Sequence, residues 1–156
     1  MHAFQQIIVP IDFSSHSDTL ADLALNLAKK LDAKLTFIHV VKHLPDESDY
    51  GEASLKQLEE HLFAHAQKKM TALLDPIKAS GQDCGGEILG GNIADSIIAY
   101  ARDKAADLIV ISTHGAQGIE KVLLGSVADR VIKGAHCPTL VFNPFKDERG
   151  QGTASP

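Results

Sequence analysis

The sequence predicts an α/β protein: a single doubly wound domain in which a five-stranded parallel sheet carries helices on both faces. Short runs of aliphatic and β-branched residues, typical of strands buried on both faces, recur along the chain, and Leu108-Ile109-Val110-Ile111 is the clearest. Between them lie segments with apolar residues every three or four positions, as in amphipathic helices. Strands that alternate with helices indicate a parallel sheet, because the connection between two parallel strands must return from one end of the sheet to the other, usually as a helix.

The strands are predicted at 7–11, 34–41, 84–89, 108–111 and 139–142. The first run is rich in β-branched residues and stops at the polar turn Asp12-Phe13-Ser14-Ser15. The third is the weakest prediction, because Gly85 and Gly86 interrupt its apolar pattern. The last begins directly after Pro138, which cannot donate to a ladder itself.

The helices are predicted at 20–31, 55–77, 93–105 and 126–133. Asn92 begins a capping-box pattern that Asp95 completes three residues later. Gly81 is the predicted stop of the long second helix, and Ser126 is the predicted N-cap of the last one. These assignments place a helix after each of the first four strands.

The chain of 156 residues is expected to form one domain, residues 1–145, with a disordered tail at 146–156. The net charge of −5 and the lack of a dense Lys/Arg block argue against a nucleic-acid partner. No apolar run approaches the roughly 18 residues that cross a bilayer, and no secretory pattern opens the chain, so a cytoplasmic location without membrane insertion is expected. Cys84 and Cys137 match no metal or redox spacing and are expected to be buried or partly buried thiols.

A phosphate-binding loop is the clearest functional signal. The strand that ends at Ile111 leads through Ser112-Thr113-His114 to Gly115, and nine residues later Gly125-Ser126 opens the last helix. Glycine permits close approach of backbone to phosphate, and the free amides at a helix N-terminus favour an anion. The same residues also suit plain turns and a helix N-cap, and the spacing alone does not separate the two interpretations.

The loop and its surroundings resemble the universal stress protein family, whose ATP-binding members carry Gly-x2-Gly-x9-Gly-Ser/Thr. The resemblance runs from Ile7 to Phe142 and also rests on Val9-Pro10-Ile11-Asp12-Phe13-Ser14, residues 35–41, Gly91-Asn92-Ile93, residues 106–110 and residues 136–141. It implies a Rossmann-like fold of the adenine nucleotide α-hydrolase-like type. Ser112 stands where the family has its first motif glycine, and serine would resist a positive φ there.

By this resemblance the chain would bind ATP or AMP. The implied binding residues are Pro10, Ile11 and Val40 around the adenine, Asp12 at the ribose or phosphate, Ile111 and Ser112 under the ribose, and Gly115, Gly125, Ser126 and Val127 around the phosphates. A valine at position 125 is therefore expected to block binding without unfolding the domain. No metal site made by the protein alone is expected, and Asp12 is the candidate contact for a nucleotide-bound Mg²⁺.

The implied function is that of a homodimeric nucleotide sensor or switch in a stress response, with a possible regulatory protein partner. The dimer would form through the last strands, at Thr139, Leu140, Val141 and Phe142. No lysine precedes Ser126 as in a Walker loop, which argues against fast hydrolysis and for a weak ATPase at most. Two alternatives stay open: a slow ATPase or adenylyl-transferring enzyme that uses Asp12 as its metal carboxylate, and a dimeric interaction module that binds no nucleotide.

Overall fold

The computed structural model describes residues 3–44, 51–114 and 124–144, and the predicted alternation of strands and helices is confirmed. The elements in chain order are β1 (Gln6–Pro10), α1 (Ser17–Leu31), β2 (Lys34–Lys42), α2 (Gly51–Ala79), β3 (Cys84–Gly91), α3 (Ile93–Asp103), β4 (Leu108–Ser112), α4 (Ser126–Gly134) and β5 (Thr139–Phe142). The predicted tail at 146–156 lies outside the described residues and stays a prediction.

The sheet has five strands in the order β3-β2-β1-β4-β5, and every neighbouring pair is parallel. The chain first builds outward from β1 through β2 to β3, then returns to the other side of β1 and continues through β4 to β5. The strand order therefore reverses between β1 and β4. In open α/β sheets such a reversal leaves a crevice at the carboxyl ends of the two strands, because the connections that follow these strands run to opposite faces of the sheet.

Two hydrophobic cores flank the sheet. Ile7 and Val9 of β1 pack with α1 and α2 on one face, whereas Ile8 between them packs with α3 and α4 on the other. All three side chains are fully buried. Because successive side chains of a strand point to opposite faces, coverage of both faces produces the continuous apolar runs seen in the sequence.

The third strand is longer and better paired than its sequence suggests. β3 pairs with β2 over its full length, from Cys84 opposite Leu35 to Gly91 opposite Lys42. A Cβ added at Gly86 would lie 2.6 Å from the Met70 side chain, whereas one at Gly85 would meet nothing within 4 Å. Gly86 therefore lets α2 pack close to the sheet.

The helix boundaries lie within four residues of the predicted ones, and one predicted cap differs. The prediction that Ser126 is the N-cap of the last helix is wrong, because Gly125 occupies that position and Ser126 is the first helical residue. Helix α1 begins at Ser17, before its first large apolar residue. The predicted cap of α3 is confirmed, since the Asn92 side chain accepts a hydrogen bond from the amide of Asp95 at 3.2 Å.

Both cysteines are free thiols, with Cys84 buried and Cys137 partly buried, as the sequence predicts. Burial raises the pKa of each thiol above its ordinary value; Lys78 opposes this at Cys84, whereas Asp83 there and Asp107 at Cys137 raise the pKa further. Both thiols therefore stay protonated at neutral pH. None of the helices in the described part of the chain is long and apolar enough to cross a membrane.

Candidate functional site

A cleft of about 440 Å³ lies at the carboxyl ends of β1, β2 and β4, where the strand order reverses. The predicted nucleotide residues that the structure describes all line it: Pro10, Ile11, Asp12, Val40, Ile111, Ser112, Gly125, Ser126 and Val127. Gly115 lies outside the described residues. The fold thus collects side chains from distant parts of the sequence, while their roles toward a ligand stay predictions.

Much of the cleft lining is apolar. Ile38 and Val40 come from β2, Ile111 comes from β4, and Ile93 and Ile97 come from α3. The two α3 residues are missing from the sequence prediction, because their spacing indicates only the buried face of a helix. Their position in the first turns of a helix that begins at this edge of the sheet is the signal that identifies them. The apolar walls suit a flat, aromatic group.

The start of α4 also lines the cleft. The first hydrogen bond within this helix runs from the amide of Asp129 to the carbonyl of Gly125, at 3.0 Å. The amides of Ser126, Val127 and Ala128 therefore precede the helical ladder and face the site that their residues line. The N-cap residue, Gly125, has no side chain, so no side-chain hydrogen bond from that position caps the helix. Three amides and the positive end of the helix dipole suit an anion such as a phosphate.

Gly125 is constrained by the protein itself. Its amide donates to the carbonyl of Thr113 at 2.7 Å, and a Cβ added at 125 would lie 2.8 Å from that same oxygen. Its φ of −68° is one that any residue adopts. A valine at 125 would meet the Thr113 carbonyl before it met a phosphate, so the expectation that it would block binding without unfolding the domain stays a prediction, to which the structure adds a cost in stability.

Asp12 combines two roles that the sequence left as alternatives. Its carboxylate accepts hydrogen bonds from the Ser14 amide at 2.9 Å and from the Ser17 hydroxyl at 3.2 Å. The N-cap position of α1 is His16, so Asp12 is a turn former rather than the helix cap. Asp12 also lines the cleft. One carboxylate thus fixes the turn after β1 and presents negative charge to the site.

Ser112 fits its position without strain. Among the described residues other than glycine, positive φ occurs at Phe13, Asp32 and Ala105, and Ser112 is not one of them. The Ser112 hydroxyl accepts a hydrogen bond from the His114 amide at 3.3 Å. Replacement of a glycine by serine here therefore costs no backbone strain and adds a polar group at the edge of the cleft.

Thr113 joins three parts of the site. Its amide donates to the Phe142 carbonyl of β5 at 2.8 Å, and its carbonyl accepts from Gly125. Its hydroxyl lies 2.6 Å from the Nδ1 atom of His114. Thr113 and His114 are both buried, at 6% and 5% exposure. The first two residues after β4, Thr113 and His114, are therefore held in place by hydrogen bonds and burial.

Among the described residues that line the cleft, Asp12 is the one carboxylate, and there is no lysine or arginine. The histidines His16, His39 and His114 are the groups there that can carry positive charge. No cluster of three or more metal-ligating side chains exists in the described part of the chain. The charge available for an anion therefore comes mainly from backbone dipoles, which bind phosphate well but supply no mobile cation for a leaving group.

The fold and the cleft define a class: a doubly wound α/β protein with an anion-favouring helix N-terminus at its topological switch point. The sequence model of the universal stress protein family matches residues 3–143, so the chain belongs to this family. A universal stress protein of Methanocaldococcus jannaschii is 39% identical over 145 residues, which cover 93% of this chain and 85% of that relative.

Two solved structures extend the comparison. Universal stress protein UspA from Lactobacillus plantarum superposes with a TM-score of 0.82 at 26% identity, over 91% of this chain and 99% of that one. A universal stress protein in complex with cAMP superposes with a TM-score of 0.65 at 25% identity, over 90% of this chain and 98% of that one. The likeness therefore spans the whole domain.

Proposed function

We propose that this protein binds an adenine nucleotide in the cleft and acts as a stress-response sensor or switch. The observation that carries the proposal is the pairing of an apolar slot at Val40 and Ile111 with three helix amides that begin at Ser126. A nucleotide has this polarity, with a flat base at one end and phosphate at the other. The family's cAMP complex supports an adenine base as the flat group.

The nucleotide in this proposal is ATP or AMP. A longer phosphate chain would extend from the start of α4 toward the turn after β1, where Asp12 is placed to contact a nucleotide-bound Mg²⁺. Because the Asp12 carboxylate and a phosphate are both negative, Asp12 suits a metal-bound phosphate better than a bare one, since the metal screens the two charges.

The assembly in this proposal is a homodimer formed at the edge of the sheet. β5 is the last strand in the sheet order, so Thr139, Leu140, Val141 and Phe142 present an edge that a second copy can cover. Val141 is 38% exposed there. A regulatory protein partner and a cytoplasmic location, which suits two unpaired thiols, complete the proposal.

Ser112 favours nucleotide binding over an interaction module that binds none. The module was the alternative because serine would resist a positive φ, and Ser112 does not have one. Its hydroxyl lies at the cleft edge, where it can donate to a ribose or phosphate oxygen.

Introducing a negative charge at position 126 is expected to weaken ATP binding at least about tenfold, because two like charges would meet at the helix start. In Ser126→Asp the fold should persist, since an acidic residue in the first turn favours the helix dipole. Ser126 is exposed, so salt would reduce the repulsion and part of the affinity should return at high ionic strength. Calorimetric titration of the wild type and Ser126→Asp with ATP and AMP measures the effect.

Ser126→Asn is the matched control, because asparagine has the shape of aspartate without its charge. It should bind within about threefold of the wild type. Wild-type protein that binds neither nucleotide at millimolar concentration, and releases none when it is heated and its supernatant is analysed by mass, would rule out the proposed function.

ATP is expected to remain largely intact when it is incubated overnight with the protein and Mg²⁺. The described cleft has one candidate metal carboxylate, Asp12, and no cation to stabilise the transferred phosphoryl group. Nucleotide analysis by chromatography measures the products. Turnover that matches a working enzyme and disappears in Asp12→Asn, which keeps an acceptor for the Ser14 amide, would favour the enzymatic alternative.

A further inference from the structure

The β1–β2 ladder ends at an unusual partner. Its hydrogen bonds alternate between the two strands. At one end the Lys34 amide donates to the Gln5 carbonyl, and at the other end the Ile11 amide donates to the Ile38 carbonyl. In a parallel ladder the next bond would join the Val40 amide to the Ile11 carbonyl. That bond is not among the hydrogen bonds of the described residues. The Ile11 carbonyl instead lies 2.8 Å from the Nδ1 atom of His39.

This contact shows which ring nitrogen of His39 carries a hydrogen atom. A carbonyl oxygen can only accept, so Nδ1 of His39 carries the hydrogen and donates it to Ile11. The ring also packs against Phe13, with the ring centroids 4.7 Å apart and the planes tilted by 41°. Phe13 is held in the left-handed region, at a φ of 58°. The backbone thus turns away from β2 directly after Ile11, and the imidazole occupies the place of the next ladder donor.

We propose that His39 is a positioning residue: it takes the Ile11 carbonyl and so leaves the Val40 amide open at the base end of the cleft. In the alternation described above, the amide and carbonyl of Val40 point toward β1, and Val40 and Ile11 both line the cleft. An open backbone donor beside apolar walls suits a ring nitrogen of a nucleobase. This last step rests on the proposed nucleotide function, whereas the opening of the ladder does not.

Hydrogen exchange at the Val40 amide tests the assignment in the protein without nucleotide. His39→Leu removes the donor, so the Ile11 carbonyl should pair with the Val40 amide, and exchange at Val40 should slow at least about tenfold. His39→Asn is the matched variant, because its amide nitrogen is bonded to Cγ as Nδ1 is, and Val40 should exchange at about the wild-type rate. Leucine and asparagine have similar shapes, and both lose the ring contact with Phe13, so a difference between them isolates the donor.

AMP titration of the wild type, His39→Leu and His39→Asn measures the effect of His39 on nucleotide affinity. His39→Leu is expected to bind AMP about tenfold more weakly than the wild type, and His39→Asn within about threefold. Equal Val40 exchange in all three proteins would overturn the role of His39, even if AMP binds. Wild-type protein that binds no AMP, with the exchange difference present, would overturn the proposed function while leaving the assignment of His39 in place.

Discussion

Replacing Gly125 with valine is expected to lower the free energy of unfolding by about 2–4 kcal/mol, from overpacking and the weakening of one buried hydrogen bond. The new Cβ would lie 2.8 Å from the Thr113 carbonyl oxygen, a distance that forces one of the two backbones to move. Either movement lengthens the hydrogen bond between the Gly125 amide and that oxygen, now 2.7 Å. Urea unfolding followed by circular dichroism measures the loss.

Ser126→Val is the control for this prediction. It adds a similar side chain one residue later, at an exposed position, and should change stability by no more than about 0.5–1 kcal/mol. Gly125→Ala should lie between the two variants, because it adds the clashing atom alone. Equal midpoints for Gly125→Val and Ser126→Val would show that the loop after β4 adapts freely, contrary to the close contact at Thr113.

The second large effect is expected at Gly86, where valine should cost about 2–3 kcal/mol by overpacking. A Cβ there would lie 2.6 Å from Cγ and Sδ of Met70 and 2.9 Å from a methyl group of Leu74. The Met70 side chain is fully buried, so either it must repack within the core or α2 must shift from the sheet. Thermal or urea unfolding of the variant reports the cost.

Gly85 supplies an internal comparison one residue away on the opposite face of β3. A Cβ there meets nothing within 4 Å, so Gly85→Val should leave stability unchanged or raise it by up to about 1 kcal/mol through strand propensity and lower unfolded-state entropy. Similar losses at both glycines would mean that strand geometry, rather than the packing of α2, requires glycine in this strand.

The strands and helices could be predicted because buried parallel strands and amphipathic helices differ clearly in apolar pattern. The β4 run from Leu108 is buried on both faces, and its composition alone indicates this. β3 was harder, because its pairing with β2 is favoured by the fit of Gly86 under α2, a contact between residues far apart in sequence. The N-cap of α4 was misplaced by one residue, since Gly125 and Ser126 are both good caps and the choice depends on the Thr113 contact.

The candidate site was predictable where its residues follow strand ends, as at Asp12 and Ser112. His39 was not, because a histidine inside an apolar strand has no local sign of its partner. Its role depends on where β1 stops pairing, at Ile11, and that is a property of the sheet register. Gly125 shows the opposite case, since the sequence selects it for phosphate binding, whereas the structure also gives it a packing role at Thr113 that the sequence does not reveal.

Thr113 connects β5 to the start of α4. Its amide and carbonyl form hydrogen bonds with Phe142 and Gly125, at 2.8 and 2.7 Å, so the edge strand and the first residues of α4 are joined through one peptide unit on each side of a single Cα. A displacement of the α4 start by an incoming anion would pull directly on β5. In the proposed switch, occupation of the cleft would reach the rim of the sheet through these two hydrogen bonds, without a rearrangement of either hydrophobic core.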